Sequence, residues 1–312
     1  MSRPAVVTAV IAHYADLAAT EAAVAGLAAG VVAPDALLVV DNEGDIDGAV
    51  EGRLRVAAGE TIAVDVLRPA TNIGFAGADW LLLVNNDAVV GRGCLAELLA
   101  AGARYPRAGL LGPVVVERDG GGVWFAGGTV DRRTLAVRHD VRRRAAGPSP
   151  SDFITGCVLL ARVAAIRECG ALDASLFMYF EDVEWAWRCS GRGWTALVVP
   201  SARARHTVAR RGARRVFSVP AVYFMSRNRL LVARSVGRFA GAVPTAVSWA
   251  ARQVAKSESL AEARARSVAA TIGLWDGLRG RRGPAPAAVR NAAGAAAHSR
   301  LTRPTSGSKL TP

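Results

Sequence analysis

Apolar and polar positions follow two rhythms through the first half of this chain. AVVTAVIA (5–12), ALLVVD (36–41), TIAVDVL (61–67) and WLLLV (80–84) are nearly unbroken apolar runs of strand length. Runs of this kind predict strands buried on both faces. Between the first two, DLAATEAAVAGLAAG (16–30) predicts a helix that stops at Gly30. A helix over 93–104 and a strand over 109–116 continue the alternation. Strand–helix–strand order with continuous apolar strands predicts an α/β fold with a mostly parallel sheet covered on both faces. Ligands of such sheets bind past the carboxyl ends of the strands. That rule sets His13 and Tyr14, Asp41 and Asn42, and Asn85, Asn86 and Asp87 along one edge.

The rhythm then changes. Residues 117–150 are Gly-rich and then basic, and read as a hairpin and a loop. FITGCVLLAR, a helix near 162–169 and FMYFEDVEWAWRCSGRGW (177–194) follow. From about 217 the pattern is helical, GRRGPAP (280–286) closes it, and 287–312 is expected to be a loose tail.

Charge divides the chain along the same line. Residues 1–200 carry a balance of −5, and residues 201–312 a balance of +18. A near-neutral body with a basic last third suggests attraction to phosphoryl groups or an anionic membrane face, or simply a solvated basic face. No nucleic-acid reading motif accompanies the charge, so nucleic acid is not an expected partner. Cys94, Cys157, Cys169 and Cys189 form no C-x-x-C pair, which argues against a zinc site and a disulfide framework and for a reduced, cytoplasmic setting. No window is apolar for long enough to cross a bilayer. The nearest, PAVYFMSRNRLLVARSVGRFAGAVPTAVSWAA, is interrupted by Arg227, Arg229, Arg234 and Arg238, a pattern that suits an interfacial helix or one packed on the domain.

Three places carry candidate chemistry. Asn85-Asn86-Asp87 ends a strand, where a carboxylate can hold Mg²⁺ or Mn²⁺ against a diphosphate; the same tripeptide is also a good turn. Glu181 and Asp182 follow an aromatic run and open a helical pattern. Glu181 and Glu184 have capping-box spacing, while an acid in a semi-apolar setting can serve as a general base. His206 follows the strand-like TALVVP at the mouth of the same sheet.

AVIAHY, VVDNEGDIDG, RPATNIGFAG, ADWLLLVNNDAVV, FITGCVLLAR, FMYFEDVEWAWRCSGRGW, RARH and YFMSRNRLLVAR, in that order over residues 5–282, together resemble family 2 of the inverting nucleotide-sugar glycosyltransferases. The rhamnosyltransferase-like and galactofuranosyltransferase-like bacterial members are the most similar. The resemblance implies a GT-A fold, Rossmann-like with helices on both faces, over residues 1–212. A basic helical segment that associates with the membrane (213–284) and a flexible tail (285–312) would follow. It implies a metal-assisted single displacement, with dTDP-rhamnose or a UDP-hexose as donor and a cell-surface glycan or its lipid-linked precursor as acceptor. It places the enzyme in the cytoplasm, peripheral on the inner membrane face.

By the same resemblance, His13, Tyr14, Asp41, Asn42, Asn72, Gly74, Asn85 and Asn86 fall on the donor side, and Asp87 and His206 on the metal. Asp182 would be the general base and Glu181 its catalytic neighbour. Thr155, Gly156, Arg188 and Trp194 would lie on the acceptor side.

The chain departs from the family at one point. NIGFAG runs directly into ADWLLLVNND, where the family has a helix between them. Residues 68–79 contain Pro69, Gly74 and Gly77 and are too few for a helical crossover. A bare apolar sheet face and an incomplete donor floor are therefore expected. A silent relative that binds nucleotide or a partner protein is the alternative.

Overall fold

The computed structural model describes residues 5–301 apart from 14–15, 42–45, 60–61, 68–77, 119–121, 143–145, 208–209, 212–213 and 216. Two compact units form. One comprises residues 1–130, 137–172 and 182–208; the other comprises residues 131–136 and 173–181 and the chain from Ala209 on.

The first unit opens with β1 (Val7–His13), α1 (Leu17–Ala28), β2 (Ala36–Asp41), α2 (Gly48–Ala58) and β3 (Ala63–Leu67). Asp16 caps α1 by accepting the Ala19 N–H at 2.9 Å, and Asp47 caps α2 through Val50 at 2.8 Å. Next come β4 (Trp80–Asn85), β5 (Ala88–Val90), α3 (Cys94–Arg104), β6 (Ala108–Glu117), β7 (Val123–Phe125), β8 (Gly128–Val130), β9 (Val137–His139) and β10 (Ser149–Ser151). The last elements are β11 (Val158–Arg162), α4 (Val163–Cys169), α5 (Glu181–Ser190) and β12 (Thr195–His206).

Among the described residues the main sheet runs β10-β12-β6-β11-β4-β1-β2-β3, with β5 beside β12 and β7 beside β6. β1, β2, β3 and β4 are mutually parallel, as expected, and β6 pairs with β12 in parallel. β11, the strand of FITGCVLLAR, is wedged antiparallel between β4 and β6. The sheet is therefore mixed. Sequence gave no sign of α2, whose Gly48 and Gly52 weaken the helical pattern; its support is Asp47 and the Arg55–Glu51 pair at 2.7 Å.

The two faces of the β4-β1-β2 region are unequal. Val7, Ala9, Ile11, Leu37, Val39, Trp80, Leu82 and Val84 share one face and are all buried. On the other, Leu38 and Leu81 are buried, Thr8, Val10, Val40 and Leu83 are half-buried and Ala12 is exposed. Right-handed crossovers explain this. Stepping from β1 to β2 to β3 puts α1 and α2 on one face. The connection from β3 to β4, with Asn72 and Gly74 in it, falls largely on 68–77, so the expectations of a bare sheet face and an incomplete donor floor lie outside the described residues.

The second unit is built on α6 (Val219–Ser235), α7 (Phe239–Ala255), α8 (Leu260–Arg279) and α9 (Ala287–Leu301). Val222, Tyr223 and Phe224 of α6 join Ala269 and Ala270 of α8 and Val289 and Ala296 of α9 in its core. The tail expected from 287 is thus helical to Leu301, because Val289 and Ala296 have a core to enter. α8 approaches α6 through glycines: a Cβ on Gly273 would stand 2.5 Å from the Tyr223 carbonyl oxygen. Arg227 and Arg229, candidates for a membrane-facing row, turn inward and are buried. Arg229 lies over Phe180 and Trp249, and burial, with Arg252 nearby, pulls its pKa down to about 10. No helix among the described residues is long and apolar enough to cross a membrane.

Candidate active site

The site lies in the sheet unit, at the carboxyl ends of β1, β2 and β4. In β1 and β2, His13 pairs in register with Asp41, and Ala12 pairs with Asn85 of β4. His13 is fully buried, and its Nδ1 lies 2.7 Å from the Thr20 hydroxyl of α1. Asp41 is also buried, and accepts the Ile46 N–H at 3.1 Å. Both side chains therefore brace the start of the loops that leave the sheet edge. Tyr14 and Asn42 lie outside the described residues.

β4 delivers the second group. Asn85 is exposed at the strand end, Asn86 is half-buried beside it, and the chain turns through Asp87 into β5. β5 pairs antiparallel with the end of β12, aligning Ala88 with His206, and the Thr207 N–H donates to the Asp87 carbonyl at 3.1 Å. This pairing brings Asp87 to His206 across a large sequence gap, with Nε2 and Oδ2 3.1 Å apart.

The other carboxylate oxygen of Asp87 and the Nδ1 of His206 are both buried without a hydrogen-bond partner. Asp87 and His206 are a carboxylate and an imidazole in direct contact, the ligand types with which a hard divalent cation could complete its shell from phosphate oxygens and water. No group of three or more His, Cys, Asp or Glu among the described residues offers a fuller cage.

Around His206 stands an aromatic cluster that sequence reading missed. The Trp124 ring lies 4.6 Å from that of His206 and 4.8 Å, edge-on, from that of His139. Phe125 and Phe153 extend the cluster behind His139. Trp124 sits in the Gly-rich stretch read as hairpin and loop, so no periodicity singled it out. Glu117, buried and in register with His206, also went unremarked.

The third group is Asp182, the second residue of α5. Its Oδ2 accepts the Gly156 N–H at 3.2 Å and its Oδ1 the Val183 N–H at 2.8 Å. Burial outweighs these bonds and pushes the carboxyl from 3.8 up to about 6. The loop that supplies Gly156 also ties back to the metal-side strand, because the Asn85 N–H donates to the Cys157 carbonyl at 2.9 Å. The buried Cys157 thiol is raised well above its ordinary range by burial and by the charge of Asp87. Thr155 is buried in this loop, and its hydroxyl faces the Cys157 N–H at 3.4 Å. Asp87, Asn85, Thr155, Gly156 and Asp182 are thus linked along one edge.

Arg188 and Trp194 are not brought to it. Arg188 holds the Glu184 carboxylate through two nitrogens, at 2.9 and 2.7 Å, and donates to the Cys169 and Ala171 carbonyls. Glu184 is committed to that ion pair, and the sequence-suggested capping box gives way to it. Trp194 donates to Glu168 at 2.7 Å under the guanidinium of Arg107. Both are latches on α4 and its flanks; Arg188 lies about 9 Å along α5 from Asp182, and Trp194 lies beyond the end of α5.

The turn leading into α5 is strained. Phe177, Tyr179 and Phe180 have φ of 67°, 65° and 71°. Non-glycine residues held there cost on the order of 1–3 kcal/mol each. Glu181, next to Asp182 in the chain, is the first residue of α5.

The family model described as "Glycosyltransferase like family 2" matches residues 3–229. The chain belongs to glycosyltransferase family 2. It is 29% identical, over 220 residues, to the N-acetylglucosaminyl-diphospho-decaprenol L-rhamnosyltransferase of two Mycobacterium tuberculosis strains, a span of 58% of this chain and 69% of the relative. Among solved structures it resembles GalNAc-T7, crystallised with UDP, GalNAc and Mn²⁺, at 16% identity and TM-score 0.55, covering 74% of this chain and 48% of that one. It also resembles S. aureus TarS 1-349 at 12% identity and TM-score 0.53, covering 87% and 80%. The fold of this glycosyltransferase is GT-A.

Proposed function

We propose that this family 2 enzyme transfers a sugar, with inversion, from a nucleotide-sugar donor to a hydroxyl of a lipid-linked glycan precursor, and that Asp182 is the general base. The carrying observation is the Asp182 carboxylate, raised to about 6 by burial at the same sheet edge as the Asp87–His206 pair. A carboxylate with that value is mostly ionised at neutral pH yet basic enough to take a proton in the transition state.

The Gly156 and Val183 N–H groups orient the carboxylate toward the acceptor. As the acceptor oxygen bonds to the anomeric carbon, Asp182 takes its proton, and the bond to the nucleoside diphosphate breaks with the electron pair leaving on the diphosphate. Asp87 and His206 would hold Mg²⁺ or Mn²⁺, which supplies neutralisation of the leaving diphosphate's charge. Trp124 fixes the plane of His206. Asp41 and His13 brace the loops beside the nucleotide, and Asn85 and Asn86 line the donor side.

The M. tuberculosis relative, a rhamnosyltransferase named for a decaprenyl-diphosphate-linked sugar, favours dTDP-rhamnose as donor and a lipid-linked acceptor; a UDP-hexose is the second donor. A lipid-linked acceptor would bring the enzyme to the inner membrane face. The exposed side of α8 is suited to that contact: Trp275, Leu278 and Val268 are exposed, with the Arg279 guanidinium 4.2 Å from the Trp275 ring centroid. The test is a thermal-shift panel of dTDP, UDP and GDP, each with and without Mn²⁺, followed by transfer assays with the sugar of the stabilising nucleotide. Stabilisation that requires metal supports the reading. A cooperatively melting protein that responds to none of them and transfers nothing overturns it.

A further inference from the structure

The strained turn has an unusual set of holders. Asn228 of α6, fully buried, directs its single amide nitrogen at three backbone carbonyls: Leu176 at 2.9 Å, Met178 at 2.8 Å and Tyr179 at 2.7 Å. Its other end is fixed, because the Arg227 Nε donates to the Asn228 Oδ1 at 2.8 Å. This bond settles which end of the amide faces the turn. Arg227, also fully buried, adds a donor to the Leu176 carbonyl at 2.8 Å and holds the Gly283 carbonyl at 2.5 Å. Its charge is balanced through the Tyr223 hydroxyl, which donates to the buried Asp276 at 2.8 Å. Arg229, the next residue, places its guanidinium 5.6 Å from the Phe180 ring centroid, and Phe177 stacks on Phe224 at 5.2 Å.

All these contacts lie within the helical unit, and nearly all converge on Leu176–Phe180. Packing alone does not require this much hydrogen bonding. A loop that served only to lead the chain into α5 would relax into ordinary φ values, since left-handed aromatic residues persist only where their surroundings over-determine them. The next residues in the chain are Glu181 and Asp182. Three left-handed residues in four set the direction in which the chain enters α5, and Asp182 lies within that helix's first turn.

We propose that Arg227, Asn228 and Arg229 are positioning residues for the transfer step: by clamping the Leu176–Phe180 turn they fix where the Asp182 carboxylate is presented. The inference rests on Asp182 being the base. The donor-side groups come from elsewhere in the chain, Asp41 from β2, Asp87 from the β4–β5 turn and His206 from β12, so the clamp acts on the chemical step and not on donor binding.

The test compares the wild-type chain, Asn228→Ala and Val289→Ala. The last is a matched core truncation in α9 that removes no hydrogen bond from the turn. Steady-state transfer, nucleotide-induced stabilisation and amide hydrogen exchange over 176–182 are measured for each. Asn228→Ala should exchange faster over this segment and lose at least 30-fold in kcat. Its donor KM and nucleotide-induced shift should stay within twofold of wild type. Val289→Ala should keep wild-type kcat.

Should Asn228→Ala not yield folded protein, Asn228→Ser, which leaves one donor for three carbonyls, is read the same way. Equal kcat in the Asn228 variant and Val289→Ala, on an active wild-type background, overturns the clamp alone. So does a loss confined to donor KM. A wild-type chain that binds nucleotide but transfers from no donor removes Asp182 as a base, and the clamp's role falls with it.

Discussion

Replacing Asp182 by Asn removes the proposed base while keeping its size. Its effect on stability can be worked from the structure as well as its effect on rate. Burial holds the carboxyl at about 6 against an ordinary 3.8. Ionising it therefore costs more in the folded chain than in the unfolded one, by up to about 3 kcal/mol. Asp182 keeps partial contact with water, so about 1–2 kcal/mol is the expected size. The sign follows from proton counting. Between 3.8 and about 6 the folded state holds a proton that the unfolded chain has lost, so stability falls as pH rises through this window and then levels off.

Asn cannot titrate and should not show this loss. It can accept only one of the two N–H groups, Gly156 or Val183, that the carboxylate accepts, at a cost of about 1 kcal/mol at any pH. Asp182→Asn should thus be less stable than wild type at pH 4.5 and equal or more stable at pH 7.5. In rate, loss of a general base should cost about 10²–10⁴-fold in kcat, and wild-type kcat/KM should rise tenfold per pH unit up to about 6 before levelling. Urea melts at the two pH values and initial rates across pH 5–8 measure both. A stability gap between the two proteins that ignores pH would refute the burial argument. A variant within tenfold of wild-type kcat would refute the base.

Asp87→Ala and His206→Ala should each remove the metal requirement from nucleotide stabilisation and lower transfer by about 10²-fold or more; a thermal-shift titration with Mn²⁺ shows the first effect directly. Gly273→Val should overpack the α6–α8 contact, where even a Cβ would come within 2.5 Å of the Tyr223 carbonyl oxygen, and destabilise by about 1–3 kcal/mol or more in urea melts. The double change Trp275→Ser, Leu278→Ser should cut flotation with anionic vesicles at low salt severalfold and leave turnover of a water-soluble acceptor analogue unaltered; unchanged flotation would remove α8 as the contact face.

Much of the sheet was legible because β1, β2 and β4 are continuous apolar runs, whose burial on at least one face leaves little choice of conformation. The carboxyl-end rule then placed His13, Asp41, Asn85 and Asp87 on one edge without any distance. Other features are set by contacts that a local pattern does not contain. The antiparallel insertion of β11 depends on its register with Leu82 and Leu83, and the Asp87–His206 contact on the pairing of β5 with β12. Trp124 meets His206 only because β7 and β12 both pair with β6. Arg227 and Arg229 left two readings open for a related reason. Their apolar neighbours suit an interfacial helix or one packed on the domain, and the second forms: carbonyls brought from Leu176 and Thr245 accept from the two guanidinium groups in the interior. The resemblance put Arg188 and Trp194 on the acceptor side, whereas their bonds in the structure go to Glu184, Cys169 and Ala171 and to Glu168.

The unequal faces of the sheet also set an order of unfolding. β3 is an edge strand, and the sheet there is well covered from one side only, so little apolar area is re-exposed when it leaves. Amide exchange should therefore be fastest in β3, slower in β2, and slowest in β4 and β11, which have neighbours on both sides. Asp41 sits on β2, between the strand that frays and the strands that hold. A nucleotide that touches Asp41 would bind only the closed sheet, and by mass action would slow the opening of β2 and of β3 beyond it. A bound nucleotide would thus hold the open edge of this sheet closed, and the protein without it would be the more easily degraded form.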